Sequence, residues 1–81
     1  MEDADVRFSK AVAAQLSAER AARHMTIAEL VIKSGMSKSK VLHSLNGQAP
    51  ITVRDIALFA SAYNMDPFEI MNRASERASD A

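Results

Sequence analysis

Ser37, Ser39 and His43 fall within one short stretch, and a serine hydroxyl beside an imidazole is the pairing that activates a nucleophile. No carboxylate is spaced to orient that imidazole, and no glycine-rich loop offers amides to an oxyanion, so an enzyme is not expected. Metal binding is not expected either: the chain has no cysteine, and its two histidines, His24 and His43, lack ligand-rich neighbours at metal spacing. No cofactor motif is present. What remains is charge. The chain of 81 residues is neutral, with ten basic and ten acidic side chains, yet between residues 17 and 54 six bases (Arg20, Arg23, Lys33, Lys38, Lys40, Arg54) meet only Glu19 and Glu29. That stretch carries plus four, whereas residues 1–16 total minus one and residues 55–81 minus three. Such segregation favours an anionic partner for the middle of the chain.

The elements that position these residues read as helices. No segment alternates with period two over strand length, so an all-α fold is expected. Phe8, Val12 and Leu16 recur every four residues, and Glu2, Asp3 and Asp5 suit the positive end of a helix dipole, which predicts a first helix over about 5–23. Thr26 and Glu29 form the S/T-x-x-E capping pattern, followed by the apolar Ile27, Leu30, Val31 and Ile32. Ser34 and Gly35 end that second helix, because glycine accepts a left-handed backbone, and the Ser37 hydroxyl caps a third. Pro50 pushes Ala49 into an extended backbone, and Thr52 caps a fourth helix whose Val53, Ile56, Phe59, Ala60 and Tyr63 face a core. Asn64 terminates it. Asp66 as N-cap, Pro67 in the first helical position and Glu69 then mark a fifth helix carrying Phe68, Ile70 and Met71. Met25, Met36, Met65 and Met71 read as core filling. The expected organisation is a single domain over 1–74 with a helix pair at 26–47 and a polar C-terminal tail at 75–81 that either extends helix five or frays.

Over about Leu16 to Met71 the chain resembles the Cro-type, lambda-repressor-like helix-turn-helix family, also called the XRE family. The resemblance rests on Arg20, on Thr26-x-x-Glu29-Leu30, on Gly35-x-Ser37-x-Ser39-x-Val41, on Asn46-Gly47, and on Ile56-x-x-Phe59-Ala60 followed by Asp66-Pro67-Phe68-Glu69-Ile70. It implies a compact five-helix DNA-binding domain in which the second helix crosses the backbone and the third enters the major groove. By position, the base readers are Lys38, Ser39 and His43, with Leu42 against a thymine methyl. The phosphate contacts are Thr26, Ser37 and Asn46, helped by Lys40, Arg54 and Arg20.

Three positions depart from the family pattern. Ile27 stands where a glutamine often holds phosphate. Leu45 replaces a glutamate that in relatives pairs with the first-helix arginine, so Arg20 needs another partner or faces the DNA. Ser44 replaces an apolar residue, which leaves Leu45 to supply the core contact.

The function these residues imply is a sequence-specific transcriptional regulator of phage or prokaryotic type, a repressor acting as a homodimer on a palindromic operator. Tyr63, Phe68 and Met71 are the candidates for an exposed apolar dimer patch. An antitoxin-like module that binds a partner protein is the alternative, motivated by the acidic flanks and zero net charge. No run is long and apolar enough to span a bilayer and the start MEDADVR is acidic, so a cytoplasmic location is expected.

Overall fold

The computed structural model describes residues 4–48 and 50–80, so the expectations for Glu2, Asp3, Ala49 and the last residue of the tail lie outside it. Among the described residues all regular structure is helical, in the order α1 (Ala4–Ala22), α2 (Ile27–Ser34), α3 (Lys38–Leu45), α4 (Val53–Tyr63) and α5 (Pro67–Asp80). No helix among them is long and apolar enough to cross a membrane.

Short side chains set the helix boundaries. Thr26 accepts from the Glu29 amide at 3.1 Å while the Glu29 carboxylate accepts from the Thr26 amide at 3.3 Å, so two otherwise orphaned donors at the start of α2 are satisfied. Gly35 ends α2 at φ 73°, its amide donating to the Val31 carbonyl. Ser37 accepts from the Lys40 amide at 3.1 Å and opens α3. Thr52 and Asp55 repeat the capping box at α4. Asn64, at φ 55°, closes α4, and the Asp66 carboxylate accepts from the Phe68 amide at 2.8 Å ahead of α5. A single non-glycine strain point precedes α2 among the described residues: His24 sits at φ 51° in the turn from α1.

These boundaries fold one apolar stripe of each helix inward. Leu16, Leu30, Val41, Phe59 and Ile70, one from each helix, are fully buried and meet Val12, Ile56 and Ala74. Burial of side chains this size contributes roughly 1.5–3 kcal/mol each. The longest helices, α1 and α5, pack along each other, and α2 and α3 sit on the surface that α1 and α4 leave open. The expected C-terminal tail continues α5: Ala78 packs against the core and Arg77 donates to Gln15 of α1.

Three residues of the apolar helical patterns lie outside the core, among them Val53, expected to face it. Ile32 is 81% exposed because it lies across α2 from the Leu30 and Ser34 stripe that meets the core. Val53, the first residue of α4, is 76% exposed, on the side of the first turn away from the buried Asp55 and Ile56. Phe8 is only partly covered, beside Ser75, Ala78 and Ser79 at one end of the α1 and α5 pair.

Candidate nucleic-acid interface

The sequence TIAELVIKSGMSKSKVLHSL becomes two eight-residue helices separated by Gly35, Met36 and Ser37. Tight passage through that turn needs φ 73° at Gly35, and Met36 is locked by burial and by donation of its amide to the Ser34 hydroxyl at 3.2 Å. Helix α3 is thereby held with Val41 and Ser44 buried and the opposite side free. Ser17 of α1 donates to the Leu45 carbonyl at 3.1 Å and fixes the far end of α3.

The free side of α3 holds the expected base readers. Lys38, Ser39 and His43 are exposed, Ser39 and His43 lie one turn apart on the same strip, and Leu42 is half-buried beside them. Thr26, Ser37 and Asn46 are exposed at the helix ends. Because the capping hydroxyls satisfy only the amides of Glu29 and Lys40, the first two amides of α2 and of α3 remain without a helical acceptor, which leaves donors and a positive dipole end at two nearby points.

Other expected contacts are placed elsewhere. Arg20 is turned inward, donating to the Met25 carbonyl at 2.8 Å, with its Nε buried and unpartnered. That carbonyl takes the guanidinium that Leu45 cannot pair with, so Arg20 braces the turn into α2. Lys40 leaves the free face and pairs with Asp55 of α4 at 3.2 Å. Arg23, part of the basic stretch, is bound to Glu19 at 2.7 Å and lies over the Tyr63 ring. Of the six bases, Lys33, Lys38 and Arg54 remain exposed without a carboxylate partner among the described residues. The positive surface is therefore narrower than the sequence count of plus four implies.

The dimer candidates separate as well. Phe68 is 68% exposed and Met71 is half-buried against the core. Tyr63 is corrected: it is only 3% exposed and its hydroxyl donates to the Leu16 carbonyl at 2.8 Å, so it belongs to the core between α1 and α4. Burial pushes its phenol up to about 12. Ser44 is fully buried with no partner for its hydroxyl, while Leu45 packs against the core from the edge, as the substitution pattern implied.

Two carboxylates that the sequence reading left unassigned organise this surface from behind. Burial pushes the Glu19 carboxyl up, but hydrogen bonds from Arg23, Arg73 and Gln15 outweigh it and hold the group below its ordinary value. Asp55 follows the same balance: burial is opposed by the Thr52 amide and Lys40, and the net displacement is downward. The signal for Asp55 was present in the spacing Thr52-x-x-Asp55, the capping pattern already read at Thr26.

The family model for a helix-turn-helix domain matches residues 11–70, from within α1 to within α5. No curated protein and no solved structure matches the chain.

Proposed function

The chain belongs to the helix-turn-helix domain family, and on that premise we propose that it is a sequence-specific double-stranded DNA-binding transcriptional regulator that reads the major groove with α3. The observation that carries this reading is the division of α3 into a buried side, Val41 and Ser44, and a free side that presents Lys38, Ser39 and His43. A lysine donates to guanine O6 and N7, a serine pairs with several base edges, and an imidazole donates or accepts according to its tautomer. The amides that open α2 and α3 hold phosphates beside Thr26 and Ser37, and Asn46 and Arg54 extend the phosphate contacts.

One copy offers few base contacts, so a repressor of this size acts as a homodimer on two half-sites about one helical turn apart. Phe68 at the start of α5 is the apolar anchor of that dimer, with Met71 beneath it. Selection of bound duplexes from a random pool, followed by binding of the selected and scrambled sequences over a salt series, tests the reading. A preference for the selected sequence, with log K falling linearly against log salt, is expected; equal binding of both would refute sequence-specific function.

A second reading, a module that binds a partner protein in the manner of an antitoxin, is favoured by the exposed Ile32, Val53 and Phe68 and by the internal pairing of Arg23 and Lys40. Retention of a co-purifying protein after Lys38→Ala and His43→Ala abolish DNA binding would support it.

A further inference from the structure

Two helix starts, those of α3 and α4, are joined by one ion pair. Lys40 is the third residue of α3, and its backbone amide donates to the Ser37 cap. Its ammonium crosses to Asp55, the third residue of α4, at 3.2 Å. The same Asp55 oxygen, Oδ2, accepts from the Thr52 amide at 3.0 Å, so the carboxylate cannot swing away without breaking the cap of α4. Its side chain is buried while that of Lys40 is 39% exposed, which places the negative charge behind the positive one as seen from solvent. The ammonium is thus oriented by a partner that the cap of α4 holds in place.

We infer that Asp55 is a specificity-determining residue for DNA recognition: it withholds Lys40 from the phosphates and ties the start of the reading helix to α4. The inference rests on the DNA-binding reading above. A lysine that contacts phosphate releases a counterion and adds about 0.9 to the salt slope for duplex DNA, whatever the base sequence. With Lys40 neutralised, sequence-independent attraction is left to Lys33, Arg54 and the amides that open α2 and α3, and discrimination by the free side of α3 is diluted less by non-specific binding. Removing the carboxylate frees the ammonium at the edge of the surface where the helix starts meet the backbone. Affinity for any duplex then rises while the ratio between a selected and a scrambled site falls.

The test is the salt slope for a random-sequence duplex, measured on the whole chain for wild type, Lys40→Met, Asp55→Asn and the double variant, with circular dichroism confirming the fold of each. The expected result is an unchanged slope for Lys40→Met, a slope steeper by about 0.9 for Asp55→Asn, and return to the wild-type slope in the double variant. A Lys40→Met slope shallower by about 0.9 would show that Lys40 binds phosphate and would overturn the inference, and this arm does not depend on Asp55→Asn folding. A merely structural role for Asp55 would lower stability without moving the slope. Failure of the wild-type chain to bind any duplex would instead overturn the DNA-binding reading itself, and the inference with it.

Discussion

Arg73 Nη1 lies 2.6 Å from Glu19 Oε2, joining residues 54 positions apart in sequence across the α1 and α5 pair. The same carboxylate takes a bond from Arg23 at 2.7 Å and from Gln15 at 2.6 Å, and Arg73 also reaches Glu69 at 3.0 Å. Arg23 in turn donates to the Tyr63 carbonyl at 3.1 Å, so α1, α4 and α5 share one polar network around a buried acid. The surface that carries α2 and α3 is built on this frame.

Acid should weaken the frame in a defined window. Glu19 titrates below its ordinary 4.5 in the folded chain. Stabilisation from a depressed carboxylate is complete above the unfolded value and is lost as pH falls through the folded one. Urea midpoints should therefore be level near neutrality and drop below about pH 4.5. Glu19→Gln should cost about 1–2 kcal/mol at pH 7 and flatten the upper part of that drop. Asp55, depressed from 3.8, keeps the lower part. An acid drop in Glu19→Gln as steep as in wild type would place the effect elsewhere.

Ser44 is the cheapest position at which to gain stability. Its hydroxyl is fully buried without a partner, in the last turn of an eight-residue helix. Alanine removes the unsatisfied group and has a higher helix propensity, so Ser44→Ala should stabilise by about 0.5–2 kcal/mol in denaturant melts. Destabilisation beyond the value of a small cavity would mean that the hydroxyl is bonded in solution.

Two left-handed residues should respond in opposite ways. A methyl group added at Gly35 would meet open space, so Gly35→Ala isolates the conformational cost at φ 73°, about 1–2 kcal/mol. His24 already bears a side chain at φ 51°, and His24→Gly should recover a few tenths to about 1 kcal/mol. Thermal melts that shift both variants in the same direction would count against this explanation.

The caps were legible because each depends on residues within a few positions. Thr26, Ser37, Thr52 and Asp66 bond amides two or three residues ahead, and Gly35 and Asn64 take the left-handed backbone expected of them. Lys38, Ser39 and His43, named from the family resemblance, are all exposed on α3, because residues three to five positions apart on a helix share its solvent side. What local spacing does not encode is the cover supplied by other helices. Val53 and Tyr63 belong to the same apolar series on α4, yet one is exposed and the other buried under α1. The pairs Arg73 with Glu19 and Lys40 with Asp55 exist only after tertiary packing, and the second brings an acid from outside residues 17–54 against one of the six bases counted there, so that count overstated the charge available on the surface.

Tyr63 and Phe68 should be separable by experiment. Tyr63→Phe removes the bond to the Leu16 carbonyl and should cost about 0.5–1.5 kcal/mol without altering sedimentation. Phe68→Ser should change stability by no more than about 0.5 kcal/mol, since the ring is largely in solvent, but should shift a dimer toward monomer. Unchanged sedimentation of Phe68→Ser across the micromolar range would remove Phe68 from the proposed interface.

Lys38 and Arg54 should divide the two kinds of DNA contact. Both are exposed and free of carboxylate partners among the described residues, but Lys38 opens the free side of α3 whereas Arg54 sits at the start of α4. A base contact contributes to discrimination, so Lys38→Ala should weaken binding to a selected site by about 1–3 kcal/mol and leave scrambled DNA much less affected. A phosphate contact acts on every sequence, so Arg54→Ala should weaken both duplexes alike and reduce the salt slope by about 0.9. Competition assays at two salt concentrations separate these outcomes. Equal losses on both duplexes for Lys38→Ala would move Lys38 from base reading to the backbone, and reading of the groove would then rest on Ser39 and His43, which face the same way from the same helix.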